Sequence, residues 1–371
     1  MENVYYFIIL FVLIFLGTYI LIPKIRNFSF KFNLMDVPGV RSSHAKTTPS
    51  FGGVAFYISY ISALFFLQFF FENQDSLTLL VGISVLFFIG LFDDLLNIKA
   101  KVKFFGQVLG VALLMSQSDF RIIFMHGFMG VYEIPLTVSV IGSMFFLLAL
   151  INAFNLLDGI DGLSAITGII VASFYSYMFY KLGYFYYLSI SITTIATLLA
   201  FLRFNFSVKR KIFMGDTGSL TIGLVLGLLT LKLMAADAIY TSLHFSPEQL
   251  PLVLIAVLFV PILDICRVMI IRLLRGVSMF SPDRNHIHHI IVDYGLSHRK
   301  ASLLIGLVNF CVGLVMFFVI INYNTLQSTL LLISIFAAGI LLLFLLNRNK
   351  TALRLKVKLK ASMLRMFFFT W

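Results

Sequence analysis

Long apolar runs separated by short polar segments make up most of this chain. Each run approaches the roughly 20 residues that an α-helix needs to cross the hydrocarbon core of a bilayer. Regular alternation of apolar and polar residues, which is typical of membrane β-strands, does not occur in these runs. The pattern therefore predicts an all-α, polytopic membrane protein with about 11 transmembrane helices, the third and fourth short enough to be half-buried. The predicted segments are 3–22, 53–71, 77–92, 104–118, 136–154, 162–180, 184–202, 217–235, 250–271, 301–321 and 327–346.

The first apolar run is interpreted as a retained helix and not as a cleaved signal. It has no charged segment in front of it, and "LIPKIR" follows it in place of a small-residue cleavage site. We therefore expect one membrane-embedded domain over residues 1–346. The two cysteines, Cys266 and Cys311, lie inside predicted spans and indicate neither a disulfide framework nor a CxxC metal site.

The composition agrees with the hydropathy pattern, and the distribution of charge predicts how the protein is oriented in the membrane. The 371 residues are 60% hydrophobic and 12% charged, whereas soluble domains are about half apolar and a quarter charged. The net charge of +12 does not indicate nucleic acid as a partner, because 25 of the 28 Lys and Arg fall on one side of an eleven-helix topology. Only Arg121, Lys181 and Lys232 fall on the other side. The positive-inside rule then predicts an outside N-terminus and a cytoplasmic C-terminus.

The tail over residues 347–371 is basic, with apolar residues interleaved between its cations. Basic segments of this kind bind anionic headgroups, while their apolar residues enter the interface. We expect the tail to lie on membrane lipids at the cytoplasmic surface.

Five segments rich in unusual polar residues all fall on the predicted cytoplasmic side. The connections on the other side, such as "ENQDS" and "HFSPEQ", are ordinary solvated turns. An ion-coupled transporter, the alternative from another class, would place its charges near the bilayer midplane, where this sequence has almost none. One shared cytoplasmic site is therefore predicted from the segments 36–53, 92–103, 152–163, 209–220 and 281–301.

Adjacent carboxylates, Asp93 and Asp94, end the third apolar run. Negative charge at a helix C-terminus opposes the helix dipole, so the pair is not expected to serve stability. A solvated helix terminus is the alternative interpretation. Lys101 and Lys103 follow within one short loop and supply cations for phosphate.

The stretch "NAFNLLDGIDGL" places Asn152, Asn155, Asp158 and Asp161 three residues apart. Consecutive members share a helix face, but the whole set rotates by about half a turn and needs a break, which Gly159 and Gly162 permit. Capping of the next helix could explain Asp161 alone.

Two further segments supply an acid and a histidine cluster. "MGDTGS" opens the eighth run with Asp216, which is either a helix N-cap or a residue beside a bound anion. "HIHH" contains His286, His288 and His289 and follows Arg284. A zinc site, and hence a zinc-dependent membrane hydrolase, is the alternative for clustered histidines. The neighbouring guanidinium favours phosphate or pyrophosphate.

Together these motifs resemble the polyprenyl-phosphate N-acetylhexosamine-1-phosphate transferases of the MraY/WecA type. The matching motifs, in order, are "HAKTTPSFGG", "FDDLLNIKAK", "NAFNLLDGIDGL", "FMGDTGSL" and "SPDRNHIHH" with "GLSHR". The resemblance implies an enzyme of the bacterial inner membrane with its active site on the cytoplasmic face, dependent on Mg²⁺ with Mn²⁺ as a possible substitute. It implies transfer of a sugar 1-phosphate from a UDP-N-acetylhexosamine to undecaprenyl phosphate with release of UMP, and a possible homodimer.

The last motif separates branches of that family. The branch that uses UDP-MurNAc-pentapeptide typically has "HHH", whereas "DRNHIHH" is similar to the WecA/TagO/WbpL branch, so UDP-GlcNAc is the first expected donor. The sequence departs from a common DDxxD pattern, because Asn97 stands at the last position.

The resulting hypothesis gives each residue a role. Mg²⁺ takes only one or two protein carboxylates as a rule, so we assign it to Asp216, with Asp158, Asp161 or Asp94 completing its shell through water. Asp93 acts as base towards the lipid phosphate, and a covalent aspartyl intermediate is the alternative. Phosphate charge is expected to be bound by His286, His288, His289 and Arg284. The hydroxyl groups of the nucleotide or sugar are expected to be oriented by Asn152, Asn155 and Asp158. The diphosphate or the lipid phosphate is expected to be faced by Lys46, Lys101 and Lys103.

Overall fold

The computed structural model describes residues 2–36, 47–71, 75–236, 243–274, 276 and 286–368, with side chains described from 4 to 349 of these. Each of the eleven predicted segments lies mostly in α-helix, although 53–71 and 104–118 run three to four residues past the ends of their helices. The helices are α1 (Glu2–Lys31), α2 (Gly52–Gln68), α3 (Asp75–Leu96), α4 (Ala100–Leu114), α5 (Leu136–Leu157), α6 (Leu163–Leu182), α7 (Phe185–Asn205), α8 (Gly215–Met234), α9 (Leu250–Val257), α10 (Phe259–Leu274), α11 (Ile287–Val292), α12 (His298–Asn322) and α13 (Thr325–Phe368).

The fold is that of an all-α, multi-pass membrane protein. Eight helices of the described residues are long and apolar enough to cross a membrane, and the count is nine if the bent pair α9 and α10 forms one span. The helix α2 is apolar but shorter. The count of eleven spans and the orientation of the termini stay predictions. The helix α13 continues without a break past residue 346, where the tail was predicted to begin.

One helix, α8, lies at the centre of the bundle. Nearly all of its apolar window is buried, and α2, α3, α5 and α6 pack around it. A helix that is apolar on every face is stable only when other helices surround it. Because α8 begins at Gly215, this packing brings the N-terminus of the central helix to the end of the bundle where α3 and α5 finish.

The predicted span 250–271 is two helices that meet at Leu258 with a bend of 72°. Pro261 has no N–H for the carbonyl of Val257 one turn earlier, which accounts for the break. Asn309 of α12 takes over both groups at the break. Its Nδ2 donates to Val257 O at 2.9 Å, and its Oδ1 accepts from Val260 N at 2.9 Å.

Short strands connect some helices. At the end of the bundle opposite the N-terminus of α8, the antiparallel hairpin β3 (Phe124–Phe128) and β4 (Val131–Glu133) lies between α4 and α5. Near the N-terminus, β1 (Met35–Asp36) pairs with β2 (Thr48–Pro49). The hydropathy pattern did not predict these strands, because they are only two to five residues long.

Candidate active site

A salt-bridged triad of Lys103, Asp93 and Asp216 lies where the ends of α3, α4 and α8 meet. Lys103 Nζ is 2.9 Å from Asp93 Oδ2 and also donates to Asp216 Oδ2. Burial lowers the pKa of the Lys103 ammonium, but the carboxylates of Asp216 and Asp93 outweigh burial and raise it. The ammonium is therefore a fixed cation between two acids that come from different helices.

Asn155 orients Asp216 from the side of α5. Its Nδ2 donates to Asp216 Oδ1 at 2.7 Å and to Ser219 Oγ at 2.9 Å. Both oxygens of Asp216 thus have a protein donor, one neutral and one charged. The prediction that these two motifs share a site agrees with this contact.

Asp94 caps the first turn of α8. Its Oδ1 accepts from Asp216 N at 2.9 Å, and its Oδ2 accepts from Thr217 N at 3.0 Å and from the Thr217 hydroxyl. A carboxylate at a helix N-terminus satisfies free backbone donors and interacts favourably with the helix dipole. Asp93 and Asp94 therefore have different roles. Asp93 faces Lys103, whereas Asp94 caps the helix that carries Asp216.

Two glycines allow this close meeting of helices. A Cβ on Gly90 of α3 would lie 2.6 Å from Thr217 Cα, and a Cβ on Gly53 of α2 would overlap the backbone of Gly218. Only glycine leaves room for backbones to approach this closely. The motif "FGG" before α2 therefore acts through packing against the start of α8.

Asp158 gives this cluster an excess of negative charge. It is partly exposed at the end of α5. Burial first, and then the charges of Asp216, Asp94 and Asp161, raise the pKa of Asp158 well above its ordinary value, although a backbone bond from Gly215 opposes them. Asp94 and Asp158 add two carboxylates to Asp93 and Asp216, the two acids that pair with Lys103 among the described residues. Hard carboxylate oxygens in excess over cations are a donor set that suits Mg²⁺ or Mn²⁺. No three His, Cys, Asp or Glu of the described residues are spaced to hold a metal ion by themselves.

Asn152 lies one turn deeper and is not in contact with Asp216. Its Nδ2 donates to Gln107 Oε1 at 3.0 Å and to Leu148 O at 2.7 Å. Gln107 is buried and was not among the site residues predicted from the sequence. It follows Lys103 by four residues on α4, so the helical repeat was a signal that could have found it.

Asp161 is not a side-chain cap. The N-cap of α6 is Gly162 with a φ of 78°, a conformation that glycine adopts readily. The Asp161 carboxylate instead lies 2.6 Å from Lys211 Nζ and 3.6 Å from His298 Nδ1, and its carbonyl accepts from Ser302. Burial raises the pKa of Asp161, but the bonds from His298 and Lys211 outweigh it and lower the pKa overall.

The three histidines form one layer against the loop after α5. The rings of His286 and His288 are nearly parallel with centroids 5.8 Å apart, and His288 and His289 are 4.2 Å apart. A Cβ on Gly159 would overlap the ring of His288. Burial, and then the charge of His289, lower the pKa of His288 to about 3, so its ring is neutral at pH 7.

A buried acid that the sequence analysis missed, Asp264 of α10, supports this layer. Its Oδ2 is 2.9 Å from His286 Nδ1, and its Oδ1 accepts from Ile287 N at 2.8 Å. A charge in an apolar helix is a functional signal, but Asp264 lies outside the five polar segments from which the sequence predicted the site.

Of the three remaining residues predicted to bind phosphate, the structure describes one. Lys101 is exposed in the first turn of α4, two residues before Lys103. Lys46 and Arg284 lie outside the described residues. Their predicted roles towards phosphate stay predictions.

Comparison with known proteins gives consistent matches. The profile of a family described as Glycosyl transferase family 4 matches residues 76–234, from the first turn of α3 to the end of α8. A probable undecaprenyl-phosphate N-acetylglucosaminyl 1-phosphate transferase of Bacillus subtilis (strain 168) is 31% identical over 351 residues, covering 93% of this chain and 91% of that protein.

Two relatives from other bacteria match over a smaller share. An undecaprenyl-phosphate alpha-N-acetylglucosaminyl 1-phosphate transferase of Yersinia pestis is 31% identical, with 76% of each chain covered. A decaprenyl-phosphate N-acetylglucosaminephosphotransferase of Mycobacterium tuberculosis (strain ATCC 25618 / H37Rv) is 30% identical, with 81% of this chain and 78% of that protein covered.

Proposed function

Because this chain belongs to the polyprenyl-phosphate N-acetylhexosamine-1-phosphate transferases, we propose that it transfers N-acetylglucosamine 1-phosphate from UDP-GlcNAc to undecaprenyl phosphate and releases UMP. The names of the bacterial relatives support both the transferred group and the prenyl-phosphate acceptor. The UDP donor, the divalent cation and the cytoplasmic face are our proposals from the motifs and the charge distribution.

The observation that carries the proposal is the placement of Lys103 between Asp93 and Asp216 at the end of the central helix. Donor and acceptor are both phosphate anions, so catalysis of their reaction depends on neutralising charge and aligning the reacting atoms. A fixed ammonium beside a set of carboxylates that suits a divalent cation meets that need.

The divalent cation would be held by Asp216 and Asp158. Burial first, and then the charges of Asp216, Asp94 and Asp161, raise the pKa of Asp158, and a cation at this place would offset both effects. When bound, Mg²⁺ would neutralise the diphosphate of the donor. Asp94 is not included as a direct ligand in this proposal, because it accepts three hydrogen bonds, from Asp216 N, Thr217 N and the Thr217 hydroxyl, whereas Asp216 accepts two, from Lys103 and Asn155.

Asp93 would act on the lipid phosphate. In the reaction, a phosphate oxygen of the acceptor forms a bond to the β-phosphorus of UDP-GlcNAc, and the bond from that phosphorus to the oxygen bridging to the α-phosphorus breaks. UMP leaves with the electron pair of that bond. A proton remaining on the acceptor phosphate passes to Asp93, and Lys103 stabilises the charge that both groups share. This is a small task for a base, because the second pKa of a phosphate monoester is about 6.

The remaining polar groups would bind the donor. Asn155 holds Asp216 in place, and the layer of His286, His288 and His289 lies beside the loop that carries Asp158. Imidazole and guanidinium groups are suitable partners for phosphate oxygens. We assign this layer, with Arg284, to the diphosphate of the nucleotide sugar.

The proposal is tested by UMP release from purified protein in detergent or liposomes. We expect release to need UDP-GlcNAc, undecaprenyl phosphate and Mg²⁺ together. A donor panel of UDP-GlcNAc, UDP-GalNAc, UDP-QuiNAc, UDP-FucNAc and UDP-MurNAc-pentapeptide then identifies the sugar. No UMP from any donor in the presence of the lipid would contradict the proposal, and Asp216→Asn with full turnover would contradict the site.

A further inference from the structure

The C-terminal end of α1 presents aromatic rings to the surroundings of the bundle. The 30 residues of α1 are about 45 Å long, which matches a bilayer including its headgroup regions. Phe28, Phe30 and Phe32, at or just past this end, are all exposed. An exposed apolar patch is typical of a surface that meets a partner or a membrane. We therefore expect this end of α1 to lie at the depth of the lipid headgroups.

A short turn between α7 and α8, residues 207–210, is fastened to this end of α1. Arg26 donates from Nη2 to Lys209 O at 3.2 Å and from Nε to Lys211 O at 3.3 Å. Its guanidinium carbon also lies 4.6 Å from the centroid of the Phe30 ring, which is a cation–π contact. The turn therefore has a defined place beside the aromatic end of α1.

The 207–210 turn presents two cations and one aliphatic side chain. Arg210 N donates to Ser207 Oγ at 3.0 Å and closes the turn. Lys209 and Arg210 are exposed, and neither forms an ion pair with an acid of the described residues. Val208, at the tip, is 89% exposed, more than any other large apolar residue that the structure describes. Unpaired positive charge and an exposed apolar group thus share one turn whose backbone is already fixed.

These features identify the chemistry of the partner. A soluble anion such as a nucleotide offers charge but no apolar surface for Val208. The turn begins two residues after the 21-residue apolar helix α7 ends, which places it at the membrane surface. An anionic phospholipid at this depth offers a phosphate for the cations and acyl chains for Val208 and Phe30. The positive-inside rule accounts for basic residues at this end, but not for a turn held by Arg26 with its apolar tip exposed.

We propose that this turn and the end of α1 form a binding site for the headgroup of an anionic phospholipid, with Lys209 and Arg210 on the phosphate and Val208 among the upper acyl chains. The lipid would be a component of the membrane and not a reactant, so the inference does not depend on the proposed function. The site borders the candidate active site, because Lys211, directly after the turn, pairs with Asp161.

Quenching of a single tryptophan by brominated lipids measures which lipid lies at the turn. The chain has one tryptophan, Trp371, so Val208→Trp combined with Trp371→Phe places the only indole at the tip. This reporter protein is incorporated into phosphatidylcholine vesicles that contain dibrominated phosphatidylglycerol or dibrominated phosphatidylcholine at equal fraction. We expect the reporter to favour phosphatidylglycerol by about 10- to 30-fold at low salt, because each basic residue near an anionic surface contributes a factor of about five.

Removing the two cations tests the site itself. Lys209→Gln with Arg210→Gln, in the reporter protein, should lower the preference for phosphatidylglycerol to within about threefold. Lys99→Gln with Lys181→Gln is the matched control, because it removes the same charge from two exposed lysines on other elements. It should leave the preference within about twofold of the reporter protein.

A salt titration of the reporter protein needs no further variant. Raising the salt concentration from about 0.05 M to about 0.5 M should weaken the preference for phosphatidylglycerol, because the Debye length becomes shorter. A preference that salt does not change would overturn the proposal. UDP at constant ionic strength should leave the preference unchanged, and displacement of the lipid by UDP would instead assign the turn to a soluble anion.

Three further results would overturn the lipid site. The first is equal quenching of the reporter protein by the two brominated lipids, or quenching by neither. The second is a preference that survives Lys209→Gln with Arg210→Gln, and the third is an equal loss of preference in the Lys99→Gln and Lys181→Gln control. None of these measurements uses turnover, so absence of UMP release would overturn the proposed function alone.

Discussion

Asp94 bonds Thr217 twice, through the backbone N–H and through the side-chain hydroxyl, although the two residues are 123 positions apart. The pair joins the C-terminal end of α3 to the start of the central helix. The acid that the sequence places beside Asp93 thus determines where Asp216, one residue before Thr217, is held.

The first prediction concerns this cap. Thr217→Val removes the hydroxyl but keeps the N–H, and Asp94→Ala removes all three bonds. We expect the free energy of unfolding to fall by about 1 kcal/mol for Thr217→Val and by about 1–3 kcal/mol for Asp94→Ala. Both should lose UMP release beyond their loss of folded protein. Thr230→Val is the control, because Thr230 bonds Tyr175 near the other end of α8 and should cost stability alone.

The second prediction concerns the bridging ammonium. Lys103→Met leaves Asp93 and Asp216 without their shared cation. We expect kcat to fall by about 100-fold, comparable to loss of one electrostatic partner of a transition state. The Mg²⁺ concentration for half-maximal activity should decrease, because the site becomes more negative. Lys99→Met, which removes an exposed lysine four residues earlier, should behave like wild type. Equal effects of the two variants would argue against a specific role for Lys103.

The third prediction concerns pH and Asp161. The lowered pKa of Asp161 means that the folded state binds its proton less tightly than the unfolded state does. Its contribution to stability is therefore fully present above the unfolded value of about 3.9 and is lost as the pH falls towards the folded value. The melting temperature of Asp161→Asn should be below that of wild type at pH 7, and the difference should shrink below about pH 4. Lys211→Met should show the same trend, because it removes a partner of this carboxylate.

The fourth prediction concerns cation binding by Asp158, whose pKa is raised. In the metal-free protein, ionised Asp158 costs stability as the pH rises above its unfolded value. A cation binds only the carboxylate form of Asp158. The apparent affinity for Mg²⁺ should therefore rise as the pH rises towards the raised pKa of Asp158, and binding should release protons. Calorimetry in buffers of different ionisation enthalpy measures that release. Asp158→Asn should abolish it, and a pH-independent affinity in the wild type would contradict the assignment.

The fifth prediction concerns the broken span. Asn309→Ala leaves Val257 O and Val260 N without the partners that α12 provides, at a cost of about 1–3 kcal/mol in the free energy of unfolding for a buried group left unpaired. Adding Pro261→Ala restores an N–H one turn after Val257 and should recover part of that loss. In protein that retains Asn309, Pro261→Ala should raise the free energy of unfolding much less. Unfolding in detergent monitored by circular dichroism distinguishes these outcomes.

Hydropathy predicted the main features of the fold without any structure. The apolar runs predicted where the helices lie, because residues that face lipid or the bundle interior are predominantly apolar over a whole span. The motifs around Asp93, Asn155 and Asp216 predicted one site, and the fold brings these three residues into contact through Asp216 and Lys103. These signals are local or compositional, so a single sequence contains them.

The division of roles within that site depended on the tertiary structure. Three lysines follow Asp93 closely, and only the fold shows that Lys103 is the one between Asp93 and Asp216. The fold also placed Asn152 against Gln107 and revealed Asp264 behind His286. Each of these contacts joins residues from different helices, and helix packing sets which side chains meet. The sequence by itself determined which groups are present at this end of the bundle, and the packing of the helices around α8 decided which of them touch, because hydrogen bonds and ion pairs depend on distances of about 3 Å that no spacing along one chain can encode.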